Sequence, residues 1–374
     1  MVERAVVPKE SLDSLALIPG ITLFGVETLA EAICVCKEES AGVRVDSAPI
    51  EGESVEIEGE SFWFLREYPD DFIDVKGQKS AKRAALIAAA GMHNILMEGS
   101  PGCGKSMIAK RLRYILPPMS LEEILHLNQY ALLGDEEPSF KPVRPFRSPH
   151  HSASKPSIFG GGTAQARIGE VALANGGILF FDEFPHFSKT VLEALREPLQ
   201  DHKVLISRVN SKVEYRTRFM FVAAQNPCPC GNLLSTIHTC RCSDLEIKRY
   251  KQRLSDPLLD RIEIYVTMQE GETDAKSDLD SASMHDSVLA AFRMQKERGQ
   301  KRLNGKLDEG EVEEFCTMDA EAEAVLQRGI ESFGLSHRGV GNTKKVARTI
   351  ADLEGSGVIA RSHMLEALGF RRRA

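Results

Sequence analysis

The chain has 374 residues, of which 42% are apolar and 27% charged, and a formal net charge of −7. This length allows two or three domains with a large core, and the composition is ordinary for a globular protein. No run of about 18 apolar residues occurs, which excludes a predicted transmembrane helix, and the N-terminus lacks the apolar core of a secretion signal. We therefore expect a cytoplasmic protein whose eight cysteines are thiols or metal ligands rather than structural disulfides. The negative charge does not indicate a nucleic-acid-binding protein, although positive charge can still be concentrated on a few loops.

Four regions are predicted in chain order. Residues 1–75 combine a short helix with an acidic, strand-rich stretch and look too irregular for an independent domain. Residues 76–268 alternate apolar strands with amphipathic helices, which is typical of a parallel α/β fold. Residues 269–283 are polar and acidic, as in a linker or an exposed loop. Residues 284–374 have helical spacing and predict a small helical domain.

A glycine-rich loop at Gly99–Ser106 lies between an apolar strand and an amphipathic helix. Its Gly-x4-Gly-Lys-Ser spacing lets backbone N–H groups surround phosphates, while the helix N-terminus adds positive charge. Lys105 is predicted to reach the β- and γ-phosphates, and the Ser106 hydroxyl to bind Mg²⁺. We expect Cys103 to be a small spacer rather than a nucleophile. The predicted ATP-binding residues are Gly99, Ser100, Pro101, Gly102, Cys103, Gly104, Lys105 and Ser106.

The segment at about 120–170 interrupts the α/β pattern as an insert. It carries His150, His151 and the glycines Gly160–Gly162. Paired histidines invite a metal-binding interpretation, but no carboxylate accompanies them at helical spacing. A mobile loop hinged at the glycines, near the pore of a ring, is the favoured interpretation.

An unbroken apolar run, Ile178–Phe181, is followed by Asp182 and Glu183. Such a run is typical of a buried parallel strand. At its end Asp182 is predicted to hold the hydration shell of Mg²⁺, and Glu183 to activate the attacking water as a general base. The alternative is a surface turn that happens to carry two acidic residues. With the phosphate loop upstream, the pattern predicts ATP hydrolysis as well as ATP binding.

A second insert, residues 201–218, contains a segment that alternates around Asn210–Ser211 and predicts a β-hairpin over Val204–Arg218. Arg208 and Lys212 near its turn could contact a phosphate backbone. An exposed hairpin with ordinary surface charge fits the same sequence equally well.

A third apolar strand ends at Asn226, whose amide could orient the lytic water; capping the chain before Pro227 is the alternative role. Four cysteines follow within the segment 228–242. Four thiolates can close a tetrahedral zinc site, but the C-x-C pairs are shorter than the usual spacing, which strains simultaneous ligation. Buried or redox-active thiols and disulfides are the alternatives. The candidate zinc ligands are Cys228, Cys230, Cys240 and Cys242.

Arg261 lies between an apolar helix end and the strand-like sequence that follows it. Phosphoryl transfer gains a large rate factor from an arginine that neutralises charge in the transition state. We predict that the following strand lies at the far edge of the sheet, so that Arg261 cannot reach its own nucleotide. An arginine in that position could complete the site of a neighbouring subunit, which implies a ring.

These motifs together resemble the AAA+ ATPases of the magnesium chelatase-like group, and more narrowly the ComM (YifB) subfamily. The resemblance runs from about residue 18 to the C-terminus. It rests on the segments "GSPGCGKS", "RPFRSPHHSAS", "EVALANGGILFFDE", "AAQNPCPCG", "LLDRIEIYV" and "LSHRGVGNTKKVARTIADLEG". The fold that the resemblance implies is an α/β P-loop domain, with a parallel five-stranded sheet between helices, followed by a small C-terminal helical lid.

The resemblance also implies a function and a set of residue roles. The function is that of a homo-oligomeric ring, a hexamer, that hydrolyses ATP with Mg²⁺. Such a ring moves on branched or single-stranded DNA, as a helicase and branch-migration factor in natural transformation and recombination. Gly99–Ser106 match the Walker A loop and Asp182–Glu183 the Walker B pair. Asn226 matches sensor 1, Arg261 the arginine finger, and Arg338 the sensor 2 arginine. Arg338 suits that role because a cation from the lid could contact the γ-phosphate.

The chain departs from the family pattern at two places. Family members begin with a Lon-protease-like domain, and only its last part, about residues 1–70, is expected here, through truncation or a different gene boundary. His337 replaces the more usual small residue before Arg338. Two other functions stay open: a chelatase-type motor that drives metal insertion, and a protein-remodelling AAA+ ring, for which the sequence offers no convincing aromatic pore loop.

Overall fold

The computed structural model describes residues 3–37, 42–161, 167–207, 212–269 and 279–372. None of the helices within those ranges combines the length and the apolar character that crossing a membrane requires. The strands are β1 (Arg4–Pro8), β2 (Thr22–Val26), β3 (Val43–Asp46), β4 (Glu53–Ile57), β5 (Glu60–Phe64), β6 (Ile95–Gly99), β7 (Met119–Ser120), β8 (Phe146–Arg147), β9 (Ile178–Phe181), β10 (Lys203–Ser207), β11 (Lys212–Arg216), β12 (Met220–Gln225) and β13 (Ile264–Met268).

The α-helices in the same ranges are distributed over the whole chain, with the longest in its last quarter. They are α1 (Leu12–Leu15), α2 (Leu29–Cys36), α3 (Lys79–Gly91), α4 (Lys105–Leu112), α5 (Leu121–Leu133), α6 (Lys155–Phe159), α7 (Glu170–Leu173), α8 (Lys189–Ala194), α9 (Arg196–Asp201), α10 (Asp244–Lys251), α11 (Asp256–Leu259), α12 (Ser281–Glu297), α13 (Glu309–Phe315), α14 (Ala320–Phe333), α15 (His337–Leu353) and α16 (Arg361–Gly369).

The chain forms two compact units. One comprises Met1–Leu65 and Met119–Val143, and the other Arg66–Pro118 and Arg144–Ala374. In the first unit β1, β2 and β3 form one sheet, and β4, β5 and β7 form another. The second sheet includes the predicted insert because β7 pairs with β5 through Met119 and Ser120. Ser120 then starts α5 with a reciprocal pair of hydrogen bonds to Glu123, which satisfies N–H groups at the helix start.

A parallel five-stranded sheet in the order β13-β6-β12-β9-β8 forms the centre of the second unit. All residues of β6, β9 and β12 are buried, as their largely apolar sequences predict. The alanine-rich helix α3 contributes a largely buried face to the same core. The α/β fold with a parallel five-stranded sheet and a C-terminal helical region is therefore confirmed.

The helices that follow the sheet pack on α3 and on one another. α15 packs against α12, α3 and α16. Its Arg348 and Asp352 form a fully buried ion pair of 3.1 Å. Asn304 donates a hydrogen bond of 2.7 Å to Asp352 and Arg298, directly after α12, also pairs with it, so the buried carboxylate has partners from three segments. Such a network holds these C-terminal helices in one arrangement, because breaking it would leave a buried charge unpaired.

The predicted hairpin of the second insert is present as the antiparallel pair of β10 and β11. Its predicted turn, Asn210–Ser211, and Arg208 lie outside the described residues, and so does the side chain of Lys212. The same holds for Gly162 of the first insert and for residues 270–278 of the predicted linker.

The stability of the second unit is expected to fall in weak acid because of His285 in α12. Its side chain is 1% exposed, and Nδ1 lies 2.9 Å from the Tyr68 hydroxyl. Burial and the nearby Arg66 lower the pKa of His285 from 6.5 to about 4. Between pH 6.5 and pH 4, His285 is therefore mostly protonated in the unfolded chain but mostly neutral in the folded chain. Stability that is present above pH 6.5 is lost as the pH falls towards 4.

We expect the free energy of unfolding to be lower by about 2 kcal/mol at about pH 5 than at about pH 7 through this one group. Urea unfolding of the wild type and of His285→Gln at both pH values measures the effect. The variant should be less stable at neutral pH but should lose less on acidification. An identical pH dependence in both proteins would show that other groups cause the acid sensitivity.

Candidate functional site

Three strand ends meet at the carboxyl edge of the five-stranded sheet. β6 leads into Gly99–Ser106, β9 into Asp182 and Glu183, and β12 into Asn226. Because neighbouring parallel strands end at the same edge, residues far apart in the chain become neighbours there. The structure thus brings together the predicted phosphate loop, Asp182, Glu183 and Asn226, but not Arg261 or Arg338.

The loop after β6 has the backbone of a phosphate-binding loop. Gly102 and Gly104 have φ angles of +80° and +95°, the left-handed conformation that favours glycine. α4 begins at Lys105 directly after the loop, so the positive end of a helix adjoins it. Among the described residues, the buried Ser100 Oγ has no hydrogen-bond partner, which leaves a donor for an incoming group.

Lys105 is held over this loop by neutral oxygen atoms. Its Nζ donates to the carbonyl oxygens of Gly99 at 2.6 Å and Ser100 at 2.9 Å. It also lies 3.2 Å from Oδ1 of Asn226, at the end of the next strand. The buried ammonium is thereby oriented without being neutralised by these three contacts, and it can still attract an anionic phosphate.

Ser106 and Asp182 form the predicted magnesium-binding pair. The Ser106 hydroxyl donates a hydrogen bond of 2.8 Å to Oδ2 of Asp182. Oδ1 of the same carboxylate accepts the N–H of Glu183 at 2.9 Å. A hydroxyl and a carboxylate in contact are hard oxygen ligands of the kind that Mg²⁺ prefers. The pair therefore fits this ion.

Glu183 contacts two histidines that sequence reasoning did not connect with it. Its Oε2 lies 3.3 Å from Nδ1 of His151 and 3.4 Å from Nδ1 of His186. Glu183 itself adopts a left-handed backbone with φ of 51°. His151 follows β8, which pairs in parallel with β9, so both residues lie beyond the same sheet edge. Recognising Phe146–Arg147 as a strand would have predicted this contact, whereas helical spacing could not.

Arg261 and Arg338 share one partner, Gln200. Oε1 of Gln200 accepts hydrogen bonds from Arg261 and, at 3.0 Å, from Nη2 of Arg338. Burial and the neighbouring Arg338 lower the pKa of Arg261. Among the described residues the buried Nε of Arg261 lacks a partner. The two guanidinium groups line a cleft of about 570 Å³ whose wall carries further basic residues such as Lys306 and Lys345, but also acidic ones such as Asp201 and Glu263.

This cleft lies at the opposite end of the sheet from the phosphate loop. Nδ2 of Asn94, just before β6, donates to the backbone oxygen of Arg261 at 3.0 Å. The phosphate loop starts five residues later at Gly99, which corresponds to roughly 16 Å along an extended strand. β13 is an edge strand as predicted, but it pairs with β6, the strand of the phosphate loop. Arg261 is therefore separated from its own loop by the length of a strand and not by the order of the strands.

The four clustered cysteines converge on one point after β12. Their Sγ atoms all lie within 4.8 Å of one another. The distances from Cys228 to Cys230 and Cys240 are 3.5 and 3.7 Å, and Cys230 lies 3.6 Å from Cys240. A tetrahedral ion with bonds of about 2.3 Å requires S–S distances near 3.8 Å. The short C-x-C pairs therefore do not prevent convergence, and the sulfurs are too far apart for disulfides.

The environment of Cys230 favours a thiolate. Backbone N–H groups of Arg241 and Asn232 lower the pKa of the Cys230 thiol to about 6, whereas burial and the neighbouring thiols raise the pKa of Cys240 and Cys242. Metal ions bind the thiolate form, and backbone N–H donors to sulfur are common around structural zinc. The donor set and its spacing thus fit zinc.

Comparison with known families matches most of the chain. The model of the magnesium chelatase subunit ChlI matches residues 71–276, and the model of its C-terminal part matches residues 278–371. The matched ranges contain all the residues of the site described above.

The chain is also similar in sequence to individual proteins over most of its length. The competence protein ComM of Haemophilus influenzae is 41% identical over 315 residues, which are 80% of this chain and 60% of that protein. The protein YifB of Escherichia coli K12 is 39% identical over 82% of this chain and 61% of its own length. The protein Mb2921c of Mycobacterium bovis is 33% identical over 98% of this chain and 72% of its own length. The chain thus spans about three fifths of ComM and YifB.

Proposed function

The chain belongs to the magnesium chelatase ChlI family of AAA+ ATPases, and we propose that it acts as a homo-hexameric ring motor on DNA. The observation that carries the ring is the position of Arg261, one strand length away from its own phosphate loop. The DNA substrate is inferred from the resemblance to the ComM subfamily, and branched or single-stranded DNA in the cytoplasm is the form we expect. Natural transformation and recombination are the processes that this resemblance implies.

In the proposed mechanism one subunit binds ATP and its neighbour completes the site. Lys105 would contact the terminal phosphates, and Ser106 with Asp182 would hold Mg²⁺, which neutralises phosphate charge when bound. Glu183 would accept a proton from the attacking water, and Asn226 would orient that water.

The second half of each site would come from the adjacent subunit. Arg261 would neutralise charge that develops on the transferred phosphoryl group. Arg338 reaches the same Gln200 as Arg261, so we propose that it serves the same neighbouring site. Both guanidinium groups bind the neutral amide oxygen of Gln200, which leaves their positive charge for an anion that would enter between subunits.

The proposal also includes a structural zinc ion bound by Cys228, Cys230, Cys240 and Cys242. The convergence of all four Sγ atoms within 4.8 Å, with 3.5–3.7 Å among the first three, supports this ligand set. Redox-active thiols are the alternative, and metal analysis of protein purified under reducing conditions separates the two.

DNA is expected to raise the rate of ATP hydrolysis several-fold at low salt. The DNA concentration for half-maximal stimulation should rise by about 100-fold between about 50 and 200 mM salt, because phosphate contacts release counterions. Steady-state ATPase assays with single-stranded, duplex and forked DNA measure both effects. Equal rates with and without every DNA would reject the DNA motor and favour a chelatase-type motor. Stimulation by unfolded polypeptide instead of DNA would favour a protein remodeller.

A further inference from the structure

The loop that carries the four cysteines packs directly on the phosphate loop. Gly231 has φ of +82°, and a Cβ atom added there would lie 2.6 Å from Cδ of Pro101. Real Cβ atoms essentially never come this close to another atom, so only glycine lets the backbone at this position pack against the rigid Pro101 ring. Gly231 follows Cys230 immediately, and the contact therefore joins the cysteine cluster to the phosphate loop.

Both ends of the cysteine loop are fixed to residues of the nucleotide site. At its start, two residues before Cys228, Asn226 contacts Nζ of Lys105 at 3.2 Å. At its end the chain enters α10, whose buried Tyr250 lies beside the backbone of Asn226. The rings of Tyr250 and His186, one of the contacts of Glu183, also form a T-shaped pair with their centroids 6.1 Å apart. A change in the conformation of the cysteine loop would therefore affect Lys105 through Asn226, and Glu183 through Tyr250 and His186.

Apolar packing does little to hold this loop in place. Its hydrophobic side chains Leu233, Leu234 and Ile237 are exposed, the last by 70%. Cys228 is buried, but the other cysteines of the cluster are not. A loop without an apolar core takes its fixed shape from a cross-link, and a metal ion on four converging sulfurs provides one.

We propose that zinc on the four cysteines is a clasp that holds the phosphate loop in its binding conformation, so that zinc occupancy sets the affinity for nucleotide. The clasp acts through the contact of Gly231 with Pro101 and the contact of Asn226 with Lys105. This inference rests on the ATP binding assigned under the proposed function, but it does not depend on DNA or on ring formation.

Linkage between the two ligands gives the first test. If zinc strengthens nucleotide binding, nucleotide must strengthen zinc binding by the same factor. Equilibrium competition with a chromophoric chelator measures zinc affinity, with and without saturating ADP and Mg²⁺. We expect nucleotide to tighten zinc binding by about 10-fold, and Lys105→Ala, which weakens nucleotide binding, to abolish this effect. Equal zinc affinities in both conditions would overturn the clasp.

Metal removal gives the second test. Cys240→Ser/Cys242→Ser should lose the zinc that metal analysis finds at one per wild-type chain. It should bind ADP about 10-fold more weakly in titration calorimetry. Cys36→Ser, which replaces an exposed cysteine outside the cluster, is the matched control and should keep its zinc and its wild-type affinity for ADP. Wild-type ADP affinity in a zinc-free variant, or wild-type protein without zinc, would refute the proposal. Wild-type protein that binds zinc but no nucleotide would instead contradict the ATPase assignment.

Discussion

Replacing Arg261 with alanine is expected to lower the rate of ATP hydrolysis by about 10³-fold, while nucleotide binding stays intact. The phosphate loop that binds the nucleotide does not contact Arg261, because the length of β6 separates them. Under the proposed function, the guanidinium acts on a nucleotide that another subunit presents to the cleft beside Gln200. Hydrolysis measured at saturating ATP, with binding of a fluorescent ADP analogue, gives both quantities.

Mixed rings decide whether Arg261 acts in trans. Lys105→Ala subunits have a defective phosphate loop but an intact Arg261, and Arg261→Ala subunits have the reverse. In a random equal mixture about one interface in four combines the two intact halves, so up to a quarter of wild-type activity should return. Arg328→Ala, on the exposed side of α14, is a control and should keep full activity. Complete absence of complementation would mean that Arg261 acts within its own subunit or only stabilises the fold.

The phosphate loop and its acidic partners could be predicted because their chemistry fixes local sequence. Gly102 and Gly104 need a left-handed backbone, and Asp182 must follow a buried strand. Parallel strands then bring their carboxyl ends together without further information. This is why Ser106 and Asp182, far apart in the chain, were predicted to act as a pair and are found 2.8 Å apart.

Contacts between side chains from unrelated segments could not be predicted in this way. Gln200 lies at the end of α9, and nothing in its spacing connects it with Arg261 or Arg338. The contact of His151 with Glu183 depends on β8, which is only two residues long and too short for a periodic pattern. The interaction of Gly231 with Pro101 depends on the path of an irregular loop. Such contacts are set by tertiary packing, which a single sequence does not encode in any local period.

Glu183→Gln is expected to lower ATP hydrolysis by about 10³-fold and to leave ATP binding unchanged. Glutamine has nearly the same shape, and its amide oxygen can still accept hydrogen bonds from His151 and His186. The magnesium-binding pair is also preserved, since Ser106 and Asp182 contact each other independently of the Glu183 side chain. What the substitution removes is the ability to take a proton from water.

Single-turnover hydrolysis of pre-bound ATP separates this defect from a loss of binding. The variant should retain ATP for many wild-type turnover times, with a dissociation constant close to that of the wild type. Glu323→Gln, an exposed glutamate near the start of α14, changes the same charge away from the site and should hydrolyse ATP normally. If Glu183→Gln kept a rate within a few-fold of the wild type, the proton acceptor would have to be another group. His151 and His186 would then be the first residues to replace, because they are the bases that the structure places beside this carboxylate.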